Sequence, residues 1–178
     1  MAKLFADDTS LSYSSNDSSE IDSMLNHDLH IILQWSKTWH VTFNPSKTDV
    51  VLFNGNLPPL DLNLLFDNTL LNVSKTHKHL GVTLSSNCKW SDHVENICLS
   101  VAKHLSVLRK MKFILDRQTL SKLYCVFIRP LLEYACELWD GCSRFDTDKL
   151  EKLQLEAARI VTGLPCYASR QSLYFETG

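Results

Sequence analysis

The stretch KLFADDTSLSY, residues 3–13, sets two aspartates side by side between short apolar runs. Leu4, Phe5 and Ala6 precede the pair, and Leu11 and Tyr13 follow it. This pattern reads as strand, turn, strand, with Asp7, Asp8 and Thr9 at the bend. Adjacent carboxylates at a bend are either a solvated turn or a place where a cation belongs, and the rest of the chain has to decide between them.

Working outward, the polar run SSNDSSE (residues 14–20) supplies helix-capping chemistry. Ser18 or Ser19 can cap a helix running to about Thr38. Its apolar positions Ile21, Met24, Leu25, Leu29, Ile32 and Trp35 recur at three and four, and Glu20 and Asp22 suit its positive end. HVTFNPSKTDVVLF (residues 40–53) predicts two short strands, 41–43 and 49–53, joined by a turn at Asn44-Pro45-Ser46-Lys47. Beyond the loop containing Gly55, Pro58 and Pro59, a β pair over 62–66 and 70–73 turns at Asp67-Asn68. HKHLGVTL (residues 77–84) reads as one strand whose Gly81 marks a bulge or a close backbone approach.

From Trp90 the period changes to that of a helix. Val94, Ile97, Cys98, Val101, Leu105, Leu108 and Met111 form one long stripe. A second helix over 118–139 should kink or break at Pro130. A third, 146–162, should stop at Gly163, just before Pro165. The fold class is therefore α+β: antiparallel strands plus one helix over 1–88, then an all-helical region over 89–178.

The composition is that of an ordinary folded chain, 44% hydrophobic and 21% charged with five Gly and five Pro, which argues against disorder. No apolar run approaches the roughly 18 residues of a membrane span. The six cysteines form no CxxC pair and no signal segment opens the chain, so the expectation is an intracellular protein with reduced, mostly buried thiols. Cys88, His93 and Cys98 have part of a zinc-knuckle spacing but lack its upstream cysteine. The four tryptophans, Trp35, Trp39, Trp90 and Trp139, read as core or interface aromatics. Charge is uneven: between residues 100 and 132, seven cations (Lys103, Arg109, Lys110, Lys112, Arg117, Lys122 and Arg129) face one acid, Asp116. Such a block is either a phosphate-binding face or a solvated helix surface.

In order along the chain, these pieces resemble the carboxy-terminal half of the reverse transcriptase of non-LTR (LINE-type, Jockey-like) retrotransposons. FADD (residues 5–8) resembles the [FY]-x-D-D hairpin of the polymerase palm's C motif. LQWSKTWHVTFNPSKTDVVLF resembles the D motif through Trp35, Asn44, Lys47 and Thr48. HKHLGVTL resembles the E motif, or primer grip, through His79, Leu80, Gly81 and Val82. LYCVFIRPLLEYACELWDG and LEKLQLEAARIVTGLP resemble the helical thumb and connection segment.

The resemblance implies a partial palm followed by a thumb and connection region truncated at its end. It makes Asp7 and Asp8 ligands of catalytic Mg²⁺, with Asp7 the leading one, because two-metal nucleotidyl transfer needs hard carboxylate oxygens. It gives Lys47 a role in pyrophosphate departure, Leu80 and Gly81 the primer strand, and Lys103, Arg109, Lys110, Lys112 and Arg117 the nucleic-acid backbone. RNA template, DNA primer and deoxynucleoside triphosphates are the implied partners, without a membrane, and the implied place of work is the nucleus at the integration target. The family's A and B motifs and fingers have no match here, so the polypeptide alone is expected not to polymerise DNA. The alternatives are a non-catalytic nucleic-acid-binding helical module and a helical interaction protein.

Overall fold

A computed structural model of the chain describes residues 2–6, 8–54, 60, 62–165 and 167–177, with only the backbone of Tyr174 and Thr177. Asp7, the loop containing Gly55, Pro58 and Pro59, and Cys166 lie outside the described residues. The chain is mixed α and β and divides into two compact units. The first is Met1–His77 with Ser85–Cys88, and the second is Lys78–Leu84 with Lys89–Gly178.

In the first unit, β1 (Ala2–Phe5) and β2 (Asp8–Leu11) pair antiparallel, with Phe5 opposite Asp8 at the turn and Ala2 opposite Leu11. α1 (Ser18–Trp39) then carries the core face. Its cap is Asp17 rather than a serine: the carboxylate accepts the Ser19 N–H at 2.9 Å, while Ser19 is already helical. At the far end His40 takes a left-handed conformation and donates back to the Ser36 carbonyl.

Ile21 and Leu29 of α1 pack against Leu62, Leu64, Phe66 and Leu71. The segment beside α1 is secured by side chains as much as by strands. Asn26 accepts the Leu65 N–H and donates to the Asn63 carbonyl, and Asp22 accepts the Asn63 N–H. Ladder groups met by helix side chains need no neighbouring strand, which keeps β4 (Leu65–Phe66) and β5 (Thr69–Leu70) to two residues each. Asp67 and Asn68 both have positive φ, the two-residue hairpin turn expected between these runs.

Three strand expectations change. Residues 41–43 form no strand: the chain leaves α1 through left-handed His40 and enters a 3₁₀ turn at Pro45–Lys47. Of 49–53 only β3 (Asp49–Val50) is a strand. It pairs parallel with β6 (Asn72–Val73), whereas antiparallel pairing was expected. The β4–β5 hairpin falls between these two strands in the chain, and a parallel pair always needs such a long connection rather than a tight turn. Finally, HKHLGVTL is a hairpin, β7 (Thr76–His79) and β8 (Val82–Ser85), because Leu80 and Gly81 both have positive φ, at 46° and 84°.

The second unit is built on α2 (Ser91–Met111) and α6 (Arg144–Thr162), the main helix pair. α3 (Arg117–Phe127) and α4 (Arg129–Glu133) pack on α2, and α7 (Arg170–Thr177) packs on α6. Val101, Leu105, Leu108, Leu120, Ile128, Ala157 and Ile160 form the centre. The expected second helix breaks where Pro130 requires: α3 ends at Phe127 and α4 begins one residue before the proline, where its missing N–H has no helical acceptor to lose. A further break at left-handed Ala135 separates α5 (Cys136–Trp139). α6 is capped by Ser143 and ends at left-handed Gly163.

Burial sorts the tryptophans and corrects the expectation of mostly buried thiols. Trp139 is buried and Trp90 packs against the core, but Trp35 and Trp39 are 49% and 66% exposed. None of the described cysteines is fully buried, and Cys88 and Cys125 are exposed.

Candidate functional site

The residues singled out from sequence fall in both units, each set positioned by local structure. In the first unit Asp8 is exposed at the mouth of the β1–β2 hairpin, next to left-handed Ala6. Asp8 and Thr9 stand in β2, opposite Phe5 and Leu4, rather than at the bend as the sequence pattern suggested. Asp7, its intended companion, lies outside the described residues. Among the described residues no group of three or more His, Cys, Asp or Glu side chains converges on a point where a metal ion could sit. Asp8 alone does not make an octahedral Mg²⁺ cage, and a site there would need further carboxylates.

Lys47 is exposed at the end of the 3₁₀ turn. The N-x-x-K-T pattern has a structural cause there. The Asn44 side chain accepts from the Ser46 N–H at 3.0 Å and the Ser46 hydroxyl at 2.7 Å, and the Thr48 hydroxyl donates to the Asn44 carbonyl at 3.1 Å. Asn44 and Thr48 shape the turn and leave Lys47 projecting from it. The next residue, Asp49, accepts from the Ser74 hydroxyl at 3.2 Å and meets His77 Nδ1 at 3.0 Å, which ties β3 to the start of β7. No hydrogen bond or ion pair joins Asp8 to Lys47 among the described residues.

In the second unit Leu80 and Gly81 form the tip of the β7–β8 hairpin. Tyr134, in the turn after α4, donates its hydroxyl to the Leu80 carbonyl at 2.7 Å. Behind the tip, the Thr83 N–H donates to Nδ1 of buried His93 at 3.2 Å, and Asn96 donates to the Thr83 hydroxyl at 3.2 Å. His93 lies between Trp90 and Trp139, and burial, followed by the Lys78 ammonium, lowers its pKa. Through Nδ1, His93 is thus a structural acceptor on α2. Sequence reasoning missed Tyr134 and His93 as supports of the tip. The available signal was an aromatic and a histidine standing in otherwise regular helical patterns.

All five proposed backbone contacts are exposed: Lys103, Arg109 and Lys110 on α2, Lys112 just after it, and Arg117 at the start of α3. They are not equivalent. Arg109 pairs with Glu156, Arg117 with Glu176 and Arg129 with Glu133. Among the described residues no acid lies within ion-pair distance of Lys103, Lys110, Lys112 or Lys122. Lys112 instead stands over the exposed Phe113 ring, 5.0 Å from its centroid. The free positive charge is therefore smaller than composition suggests and is carried by lysines.

These features, an acidic hairpin, a capped lysine turn, a glycine-tipped hairpin and a lysine-bearing helix, occur in a chain that is similar along its length to RNA-directed DNA polymerases of non-LTR mobile elements. It is 28% identical over 171 residues, 92% of its length, to the RNA-directed DNA polymerase from mobile element jockey of Drosophila melanogaster. It is 25% identical over 174 residues, 96% of its length, to the "Probable RNA-directed DNA polymerase from transposon BS" of the same fly. A third relative, from transposon X-element, is 23% identical over 98% of the chain. The chain spans about a fifth of the length of these relatives, 18–19%. No family model matches the chain. No solved structure matches it. Among the described residues no helix is long and apolar enough to cross a membrane.

Proposed function

We propose that the chain is the part of a non-LTR retrotransposon reverse transcriptase that runs from the C motif of the palm through the primer grip into the thumb. The carrying observation is the collinear similarity to three mobile-element polymerases over 92–98% of the chain. In this reading Asp7 and Asp8 give carboxylates to a Mg²⁺ site that also needs acids from elsewhere in the polymerase. When bound, the ion stabilises the attacking and leaving oxygens of nucleotidyl transfer. Lys47 faces the triphosphate of the incoming nucleotide, Leu80 and Gly81 meet the primer strand, and Lys103, Lys110 and Lys112 line the RNA–DNA backbone. Arg109 and Arg117 join them by exchanging a carboxylate for a phosphate. The parent enzyme works on template and primer in the nucleus at its integration target.

These 178 residues hold no match to the A and B motifs, so the polypeptide made on its own binds nucleic acid without extending it. Lys103, Lys110, Lys112 and Lys122, which have no acidic partner among the described residues, also favour a second reading, a non-catalytic binding module. Two assays separate these ideas. Affinity for an RNA–DNA hybrid should fall with salt with a log–log slope of about −3, and Lys103→Glu, Lys110→Glu and Lys112→Glu together should remove most of it. Absent or salt-insensitive binding would refute the nucleic-acid role altogether. Primer extension with Mg²⁺ should give no product. Extension that Asp7→Asn abolishes would overturn the expectation of inactivity and rule out the non-catalytic reading.

A further inference from the structure

The hairpin tip assigned above to the primer strand is gripped by a residue that no motif singled out. A two-residue turn with both residues at positive φ suits Asn-Gly or Gly-Gly, so a leucine in its first place, Leu80 at 46°, is strained and has to be held from outside the turn. This one has support on two sides. On one side the Tyr134 hydroxyl holds the Leu80 carbonyl at 2.7 Å, and the Tyr134 ring lies 3.0 Å from where a Cβ on Gly81 would stand. On the other, His93 and Asn96 of α2 hold Thr83. Tyr134 is itself anchored, because its carbonyl accepts the indole N–H of buried Trp139 at 3.1 Å.

Burial does not account for Tyr134, which is 56% exposed. What its position does is join the tip to the break between α4 and α5. Gly81 is required twice over, by its φ of 84° and by the ring that fills the space beside it.

We infer that Tyr134 is a positioning residue for the Leu80–Gly81 tip: its hydroxyl fixes the direction in which the tip meets a nucleic-acid strand. The inference rests on the reading that this tip contacts a primer end. The test uses the whole 178-residue chain, wild type and Tyr134→Phe, which keeps the ring and removes the hydrogen bond. Amide exchange at residues 80–83 and the ring-current shift of the Gly81 α-protons report the tip. Fluorescence anisotropy reports affinity for an RNA–DNA hybrid with a recessed DNA 3′ end and for a blunt hybrid.

Tyr134→Phe should unfold at close to the wild-type temperature, while tip amides exchange about tenfold faster, the size of one lost hydrogen bond. The Gly81 shift should move toward the ordinary glycine value. Affinity for the recessed end should fall about threefold or more, with the blunt hybrid unaffected. Unchanged tip exchange would overturn the latch. A looser tip with full preference for the recessed end would overturn the positioning role. If wild type shows no such preference, the primer reading fails and takes the proposal with it, even where the latch itself is confirmed.

Discussion

Lowering the pH from about 7 toward about 5 should weaken the helical unit through one residue, His93. The side chain is 3% exposed, and its ring centroid lies 6.2 Å from that of Trp90 and 6.1 Å from that of Trp139. Its Nδ1 accepts the Thr83 N–H, and since a backbone amide can only donate, that nitrogen carries no proton in the folded chain. Burial and then Lys78 lower the folded pKa below the unfolded value of about 6.5. Between the two values the unfolded chain holds the extra proton. The stability from the neutral ring is therefore complete above about pH 6.5 and is lost as pH falls toward the folded value. One proton sets a limiting slope of about 1.4 kcal/mol per pH unit.

Urea unfolding across this range, followed by the fluorescence of the flanking tryptophans, measures the slope. In His93→Gln the amide oxygen can accept from Thr83 without titrating, so the difference from wild type isolates this residue from the other histidines. Asp17, Glu20, Asp116 and Asp146 have lowered pKa values and act below about pH 4.5, outside the window. Identical pH dependence in wild type and His93→Gln, or stability that rises on acidification, would refute the argument.

Three further outcomes are expected of the same chain. Gly81→Ala should lower unfolding stability by about 1–2 kcal/mol in urea melts, from the left-handed backbone and the Tyr134 ring. Asp146 is 1% exposed and accepts from the Ser91 and Ser143 hydroxyls at 2.8 and 2.7 Å, so Asp146→Ala should cost about 1–3 kcal/mol. Burial works against the Asp146 charge, but both hydroxyls and Lys149 outweigh it and lower the pKa, so the stability it contributes is present above about pH 3.9 and lost below; the acid limb of the variant should be correspondingly shallower. Leu105→Ala, at a core position 1% exposed, should cost about 2–5 kcal/mol by thermal melt, whereas Lys110→Ala on the exposed side of α2 should stay within about 0.5 kcal/mol.

Where a local rule was strong, sequence and structure agree. The three-and-four spacing from Ile21 onward becomes α1, Pro130 breaks its helix, Gly163 ends α6, and Asp67-Asn68 turns a hairpin. The misreadings occur where the cause is distant in sequence. Leu80 is not a turn former, so HKHLGVTL looks like one strand, but its turn is held by Tyr134, 54 residues on. β3 finds β6 across a crossover that no local pattern signals. Asp22, which suits the positive end of α1, and Asn26 one turn on hydrogen-bond the backbone of residues 63–65 and replace part of a ladder. Of the tryptophans that read as core or interface aromatics, Trp35 and Trp39 stay exposed because the inward face of α1 is already filled by Ile21 and Leu29.

The candidate site was legible as a list of residues but not as a balance of charges. The seven cations of residues 100–132 read as one field against a single acid, yet Arg109 and Arg117 find Glu156 and Glu176, acids far along the chain that counting inside a window leaves out. The lysines keep their charge available, and an ammonium is a mobile point charge that follows a backbone without demanding a fixed geometry. The arginines are held in exposed pairs, each worth about 0–1 kcal/mol, so a phosphate could displace the carboxylate at small cost. If these residues meet a nucleic-acid backbone as proposed, this division gives the surface two kinds of response to salt. The lysines release counterions directly, whereas each arginine must first surrender an acid and gains less from binding. Reversing Lys103, Lys110 and Lys112 should therefore flatten the salt dependence more than neutralising Arg109 and Arg117, although composition alone ranks all five alike.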